Sequence, residues 1–175
     1  MEKASTSENP GWQTWCPAES VSLEIPRWTG REEAAHAWNG ELWEAAIPVG
    51  GAALIRTETR LLCAFHGPVT EARILVDPVG DLLSFYEFRM DAHGRGQSAL
   101  WRKSRSGHLI DARWATGATY TPDGRGLVIG IPFTDLPPTE GARGETWRVA
   151  LQSAGKPGNH RPVARDADFF SARPG

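Results

Sequence analysis

Short apolar runs recur along this chain with Gly, Pro or Asp between them, and that rhythm decides most of what it can fold into. "AALIRT" and "RLLCAFHG" are separated by Glu58-Thr59. "EARILVDP" stops at Asp77-Pro78. "LLSFYEFRMDAHG" runs to Gly94. "QSALWRK" and "HLIDARW" flank "SRSG", and "ATYT" and "LVIGI" flank "PDGRG". Two apolar runs joined by a short Gly- or Asp-containing segment predict a hairpin. Strands spaced about every eight to twelve residues, with little helix between them, predict an all-β antiparallel β-sandwich of immunoglobulin-like or jelly-roll type.

Alternation assigns the faces of the strands. In Phe85–Asp91, Tyr86, Phe88 and Met90 share one side and read as core, whereas Phe85, Glu87, Arg89 and Asp91 share the other. Trp147, Val149 and Leu151 of "TWRVALQ" also point one way, and Trp43 and Trp147 are assigned to the core. "GLVIGIPFTDL" ends on proline, which has no N–H for a ladder. Pro132 is expected to stop the strand so that Phe133 and Leu136 fold inward and plug the end of the core. "VSLEI" (Val21–Ile25) predicts a strand. "REEAAHAWNGELWEAA" predicts a short helix capped by Thr29 or Gly30 and broken at Asn39-Gly40. "DADFF" reads as a closing strand. Residues 1–20 read as a loose lead-in, and residues 21–175 as a single β-sandwich domain.

A net charge of −2 demands neither nucleic acid nor an anionic membrane as partner. The first twenty residues hold no apolar signal segment, so the cytoplasm is the default compartment, a secreted mature form being equally compatible. Cys63, in an apolar run, is expected to pack as a small hydrophobe, and no disulfide to Cys16 is expected.

Catalytic motifs are missing. There is no Gly-x-Ser-x-Gly elbow, phosphate-binding loop or His-Glu-x-x-His, and the five histidines are scattered. "GRGQSA" fits a dinucleotide fingerprint in outline, but a strand and hairpin follow it, so no helix N-terminus meets a pyrophosphate. The chain therefore reads as a non-enzyme without a resident metal. Asp77 and Asp81 flank a turn; a turn-forming role is set against calcium binding. The eight tryptophans point to ligand binding instead. A flat aromatic ring stacks on the apolar face of a sugar while Arg, Asp and Glu bond its hydroxyls. Trp101 and Trp114, near strand ends beside charged residues, are the candidate platforms.

The order "LWEAAIPV", "AALIRTETRLLCAFHG", "ARILVDP", "FYEFRMDAHG", "ARW", "LVIGIPFTDL" and "WRVAL" resembles the family 9 carbohydrate-binding modules and the wider DOMON-like superfamily, from about Glu41 to Leu151. The resemblance implies a β-sandwich that binds sugar without cleaving it. That family's sugar-contacting arginine lies in an aromatic-Arg-aliphatic-Asn stretch. Phe88-Arg89-Met90-Asp91 matches it, with Asp91 in place of Asn. The family's paired glutamate corresponds to Arg73 here, and Glu71 lies two residues earlier on the same strand face. The two clamp tryptophans of the family have no counterpart in "FHGPV" or "PGNHRPVARD", and its acidic metal-binding loop is much reduced.

The candidate ligand set is thus Arg89, Glu87, Asp91, Arg73 and Glu71, with Trp101 or Trp114 as platform and a carbohydrate or glycan end as ligand. Two rivals follow from the same resemblance. One is a haem-binding electron carrier with Met90 and His66 or His93 as ligands to haem b. The other is an interaction domain that has lost ligand binding and keeps a protein partner.

Overall fold

The turn chemistry that spaces the strands also sets their pairing. A computed structural model describes residues 11–18, 22–31, 40–104, 107–113, 117–123, 125–136, 146–156 and 163–175. In chain order the strands are β1 (Trp12–Trp15), β2 (Leu23–Glu24), β3 (Ile47–Val49), β4 (Ala52–Arg56), β5 (Arg60–His66), β6 (Glu71–Asp77) and β7 (Ser84–Asp91). They continue as β8 (Gly96–Ser104), β9 (Gly107–Arg113), β10 (Thr119–Asp123), β11 (Gly126–Pro132), β12 (Trp147–Ala154) and β13 (Phe170–Arg173). One short helix, α1 (Gly40–Ala45), precedes β3. The larger sheet has the order β2-β13-β12-β6-β7-β8-β9, with β1 also on β12; the smaller is β10-β11-β5-β4-β3. Every pairing is antiparallel except β13 with β2. This is the expected all-β sandwich, and the β4–β5, β8–β9 and β10–β11 hairpins fall where the turn residues place them.

Between the sheets lie Leu54, Leu61, Cys63 and Phe65 from one side and Ile74, Phe88, Met90 and Leu151 from the other. Each such side chain contributes about 1.5–3 kcal/mol through burial. Two further apolar layers cover the outer faces. Leu42 of α1 packs with Ala53, Leu62 and Ala64 over the smaller sheet. Leu82 and Phe169 pack with Leu75, Phe85 and Ala150 over the larger one. Burial on both faces explains why β4, β5 and β6 read as nearly continuous apolar runs rather than strict alternation.

Pro132 ends β11, and Phe133–Asp135 form a single 3₁₀ turn. Phe133 and Leu136 are buried, and the Phe133 ring meets Trp147 edge-on at 6.0 Å. The plug therefore sits where the sequence puts it. Cys63 is buried and Cys16 half-buried, and both are free thiols. Trp147 is buried as expected, whereas Trp43 is only half-buried, edge-on to exposed His66 at 5.1 Å.

Three expectations change. Asp166–Asp168 of "DADFF", read as a closing strand, form a 3₁₀ turn, and β13 follows at Phe170–Arg173. Trp12–Trp15, read as part of a loose lead-in, form β1 against Leu151–Ala154 of β12. The pairing is fixed by contacts across the whole chain, including the Trp15 Nε1–H bond to Ser153 Oγ at 3.0 Å. Gly40, expected to break a helix, instead begins α1, because the fully buried Leu42 anchors that turn and Ala46 N–H bonds Leu42 O at 2.8 Å. The earlier part of the expected helix, residues 32–39, lies outside the described residues.

Candidate ligand-binding site

The outer face of the larger sheet carries a ladder of charges across β6, β7 and β8. In register, Glu71 faces Asp91, Arg73 faces Arg89, and Arg89 faces Gln97 on the other side. Like charges directly opposite repel. The diagonal contacts resolve this. Arg73 Nη1 bonds Glu87 Oε2 at 2.8 Å, and Arg89 Nε lies 3.6 Å from Glu71 Oε1. Arg89 Nη2 also donates to Gln97 Oε1.

The ladder divides into a buried and an open half. Arg73 and Glu87 expose 1% and 4% of their side chains, against 24% and 29% for Arg89 and Glu71. Arg73 Nε donates to Gln152 Oε1 at 2.7 Å, and Gln152 Nε2 donates to Thr14 Oγ1 at 2.9 Å. The Trp12 ring lies 6.0 Å from the Arg73 guanidinium carbon, within cation–π range. Arg73 and Glu87, expected to face ligand, are therefore committed to each other and to β1 and β12. The sequence shows them on the correct face but not that β1 extends the sheet beside β12 and brings the Trp12 ring against Arg73.

The open half forms a depression of about 320 Å³ lined by Glu71, Arg89, Asp91, Arg95, Gly96 and Gln97, together with Met90. Asp91 is held by the turn it begins. Its Oδ1 accepts the backbone N–H groups of His93 at 2.9 Å and Arg95 at 3.1 Å, and its Oδ2 accepts Arg95 Nε at 2.7 Å. Burial pushes the Asp91 carboxyl up, but these bonds outweigh it and the pKa is lowered. Gly96 gives β10 room to close against the turn. A Cβ there would overlap the Tyr120 ring, and the Tyr120 hydroxyl donates to Gln97 O at 3.3 Å.

The structure thus brings together Arg89, Glu71 and Asp91 and adds Arg95 and Gln97, which sequence reasoning missed. Gln97 follows from the hairpin register opposite Arg89, and both residues lie in or beside the segment weighed as a nucleotide fingerprint. Trp101 does not join them. It stacks on Phe85, with centroids 6.2 Å apart and planes 17° from parallel, and packs into the outer apolar layer. Trp101, expected near a strand end, lies inside β8 and serves as packing area. Trp114 lies outside the described residues.

The haem ligand set is dispersed. Met90 packs between the sheets, whereas His66 lies against Trp43 beside α1, on the outside of the smaller sheet. His93 sits in the exposed β7–β8 turn. Asp77 accepts the N–H groups of Val79, Gly80 and Leu82, which is the turn-forming role. Among the described residues no group of three or more His, Cys, Asp and Glu could hold a metal.

No model of a known protein family matches this chain. No curated protein matches it either. Its fold is similar to the crystal structure of a protein from Bacteroides uniformis ATCC 8492 described as a "putative carbohydrate-binding protein", with a TM-score of 0.50 and 14% identity over 88% of this chain and 99% of that chain.

Proposed function

We propose that this chain is a non-catalytic, carbohydrate-binding β-sandwich domain that grips a sugar at the depression over Arg89. The observation that carries this reading is the grouping of Arg89, Glu71, Arg95 and Gln97 around one opening of about 320 Å³ on a sheet face. Such a volume lies at the small end of ligand sites, suited to a chain end rather than a long polymer. The guanidinium fork of Arg89 offers parallel hydrogen bonds to vicinal oxygens, and Glu71 offers an acceptor to a hydroxyl. Arg73 and Glu87 lie beside the site on the same sheet face, tying β6 to β7. The fold likeness to a protein described as carbohydrate-binding supports the same reading.

The test is a glycan array followed by calorimetry on the hits. Arg89→Ala is expected to abolish saccharide binding while leaving the thermal transition in place, because the side chain is partly open to solvent. Wild-type protein that binds no saccharide removes the proposal. If that same protein captures a protein partner, the interaction-domain reading replaces it.

A further inference from the structure

The hydrogen-bonding inventory of the depression is lopsided, and the imbalance bears on ligand class. Asp91 uses both carboxylate oxygens within its own turn and on Arg95. Gln97 uses its carbonyl oxygen on Arg89, which leaves its amide nitrogen as a donor. Arg89 Nη1 and both Nη groups of Arg95 have no protein acceptor among the described residues. Against these donors stands one carboxylate, Glu71, whose nearer oxygen is 3.6 Å from Arg89 Nε. A neutral sugar offers hydroxyls, each of which brings a proton that needs an acceptor. This site supplies few. Among the described residues no aromatic ring lines the depression, so charged and polar groups carry the recognition there.

The geometry points to an acidic saccharide end as the ligand, its carboxylate held by the forks of Arg89 and Arg95 and a neighbouring hydroxyl donating to Glu71. This inference rests on the saccharide reading above and narrows it. Carboxylate oxygens accept without donating, which matches a donor-rich pocket. Planar Arg–carboxylate pairs are also stronger than neutral hydrogen bonds by roughly a factor of two. Asp91 acts as a positioning residue, holding Arg95 through Nε and leaving its two outer nitrogens to the ligand. Tyr120 and Gly96 fix the turn that carries both.

The experiment is calorimetry of the wild type, Arg95→Gln and Arg89→Gln with glucuronate- and galacturonate-ended oligosaccharides and their glucose- and galactose-ended counterparts. The wild type is expected to prefer the acidic ligands by about tenfold or more, the preference shrinking with added salt. Arg95→Gln should bring uronate affinity down to that of the neutral counterparts, Arg89→Gln should weaken both classes, and Arg95→Gln that keeps the full preference overturns the inference; the Arg95 side chain is 77% exposed, so the variant folds. Equal binding of acidic and neutral ligands by the wild type overturns the inference and leaves the saccharide reading standing. Binding of neither class overturns both. Acetate binding as tightly as the uronates marks a bare carboxylate site and overturns both as well.

Discussion

Arg73 and Glu87 form an ion pair of 2.8 Å on the outer face of a sheet, yet both side chains are almost wholly removed from water. A buried pair adds little net stability relative to apolar residues of the same shape, but it is costly to break. Removing one partner leaves the other charge stranded. Glu87→Ala is therefore expected to lower unfolding stability by about 3–5 kcal/mol. The paired change Arg73→Met with Glu87→Leu should fall much closer to wild type. Urea denaturation of the three proteins measures this, and a Glu87→Ala midpoint equal to wild type would show that the pair is not buried in solution.

Asp91 makes the β7–β8 turn sensitive to acid. Its carboxyl has a folded pKa below the ordinary value of 3.8, so the ionised form is favoured in the native state. The resulting stability is complete above pH 3.8 and declines as pH falls through that value toward the lower folded pKa. Asp91→Asn keeps the shape of the turn and removes the charge. The variant should be less stable than wild type at neutral pH, and the gap should close in the acid range. Thermal melts across a pH series test this; a gap that widens on acidification contradicts the assignment.

Gly96 is the point where β10 of one sheet meets β8 of the other. Because a Cβ would overlap the Tyr120 ring, Gly96→Ala forces that ring or the turn to move. Overpacking of this kind costs roughly 1–3 kcal/mol. It should also weaken ligand binding, since Arg95 and Gln97 flank the displaced residue. Adding Tyr120→Ala to Gly96→Ala opens the space and should recover part of the binding. Calorimetry with the best saccharide found for the wild type, beside denaturation curves, separates the two effects.

Much of this arrangement is legible from local pattern, and the remainder depends on contacts distant in sequence. Alternation alone places Glu87, Arg89 and Asp91 on one face of β7, and turn residues alone place the hairpins. Arg73 reads as an ordinary outward residue of β6. Its burial requires β1, whose Trp15 bonds Ser153 from 138 positions away, so no window of sequence around Arg73 contains the signal. Trp12–Trp15 alternates as a strand should, but it lies among Ser, Glu, Pro and Gly residues typical of a tail. Arg95 and Gln97 lie four and six positions after Asp91, beyond the reach of the alternation along β7. Their role follows from hairpin register, which the Asp91 turn determines. Trp101 misled for the opposite reason: charged neighbours in sequence suggest a rim, while the sheet places it against Phe85.

Phe133 gives the most direct test of how the sandwich is closed. β11 ends at Pro132, and the next residue turns inward, its N–H bonding Thr59 O at 2.9 Å and its carbonyl accepting Leu136 N–H at 3.1 Å. The ring, 2% exposed, fills the end of the core against Trp147. Phe133→Ala leaves a cavity that the backbone of a short 3₁₀ turn cannot easily collapse, and a loss of roughly 3–5 kcal/mol is expected. Leu83, 60% exposed, is the matched control, and Leu83→Ala should change stability by about 0.5 kcal/mol or less. Equal denaturation midpoints for the two variants would mean that Phe133 is not the plug and that the core is sealed elsewhere.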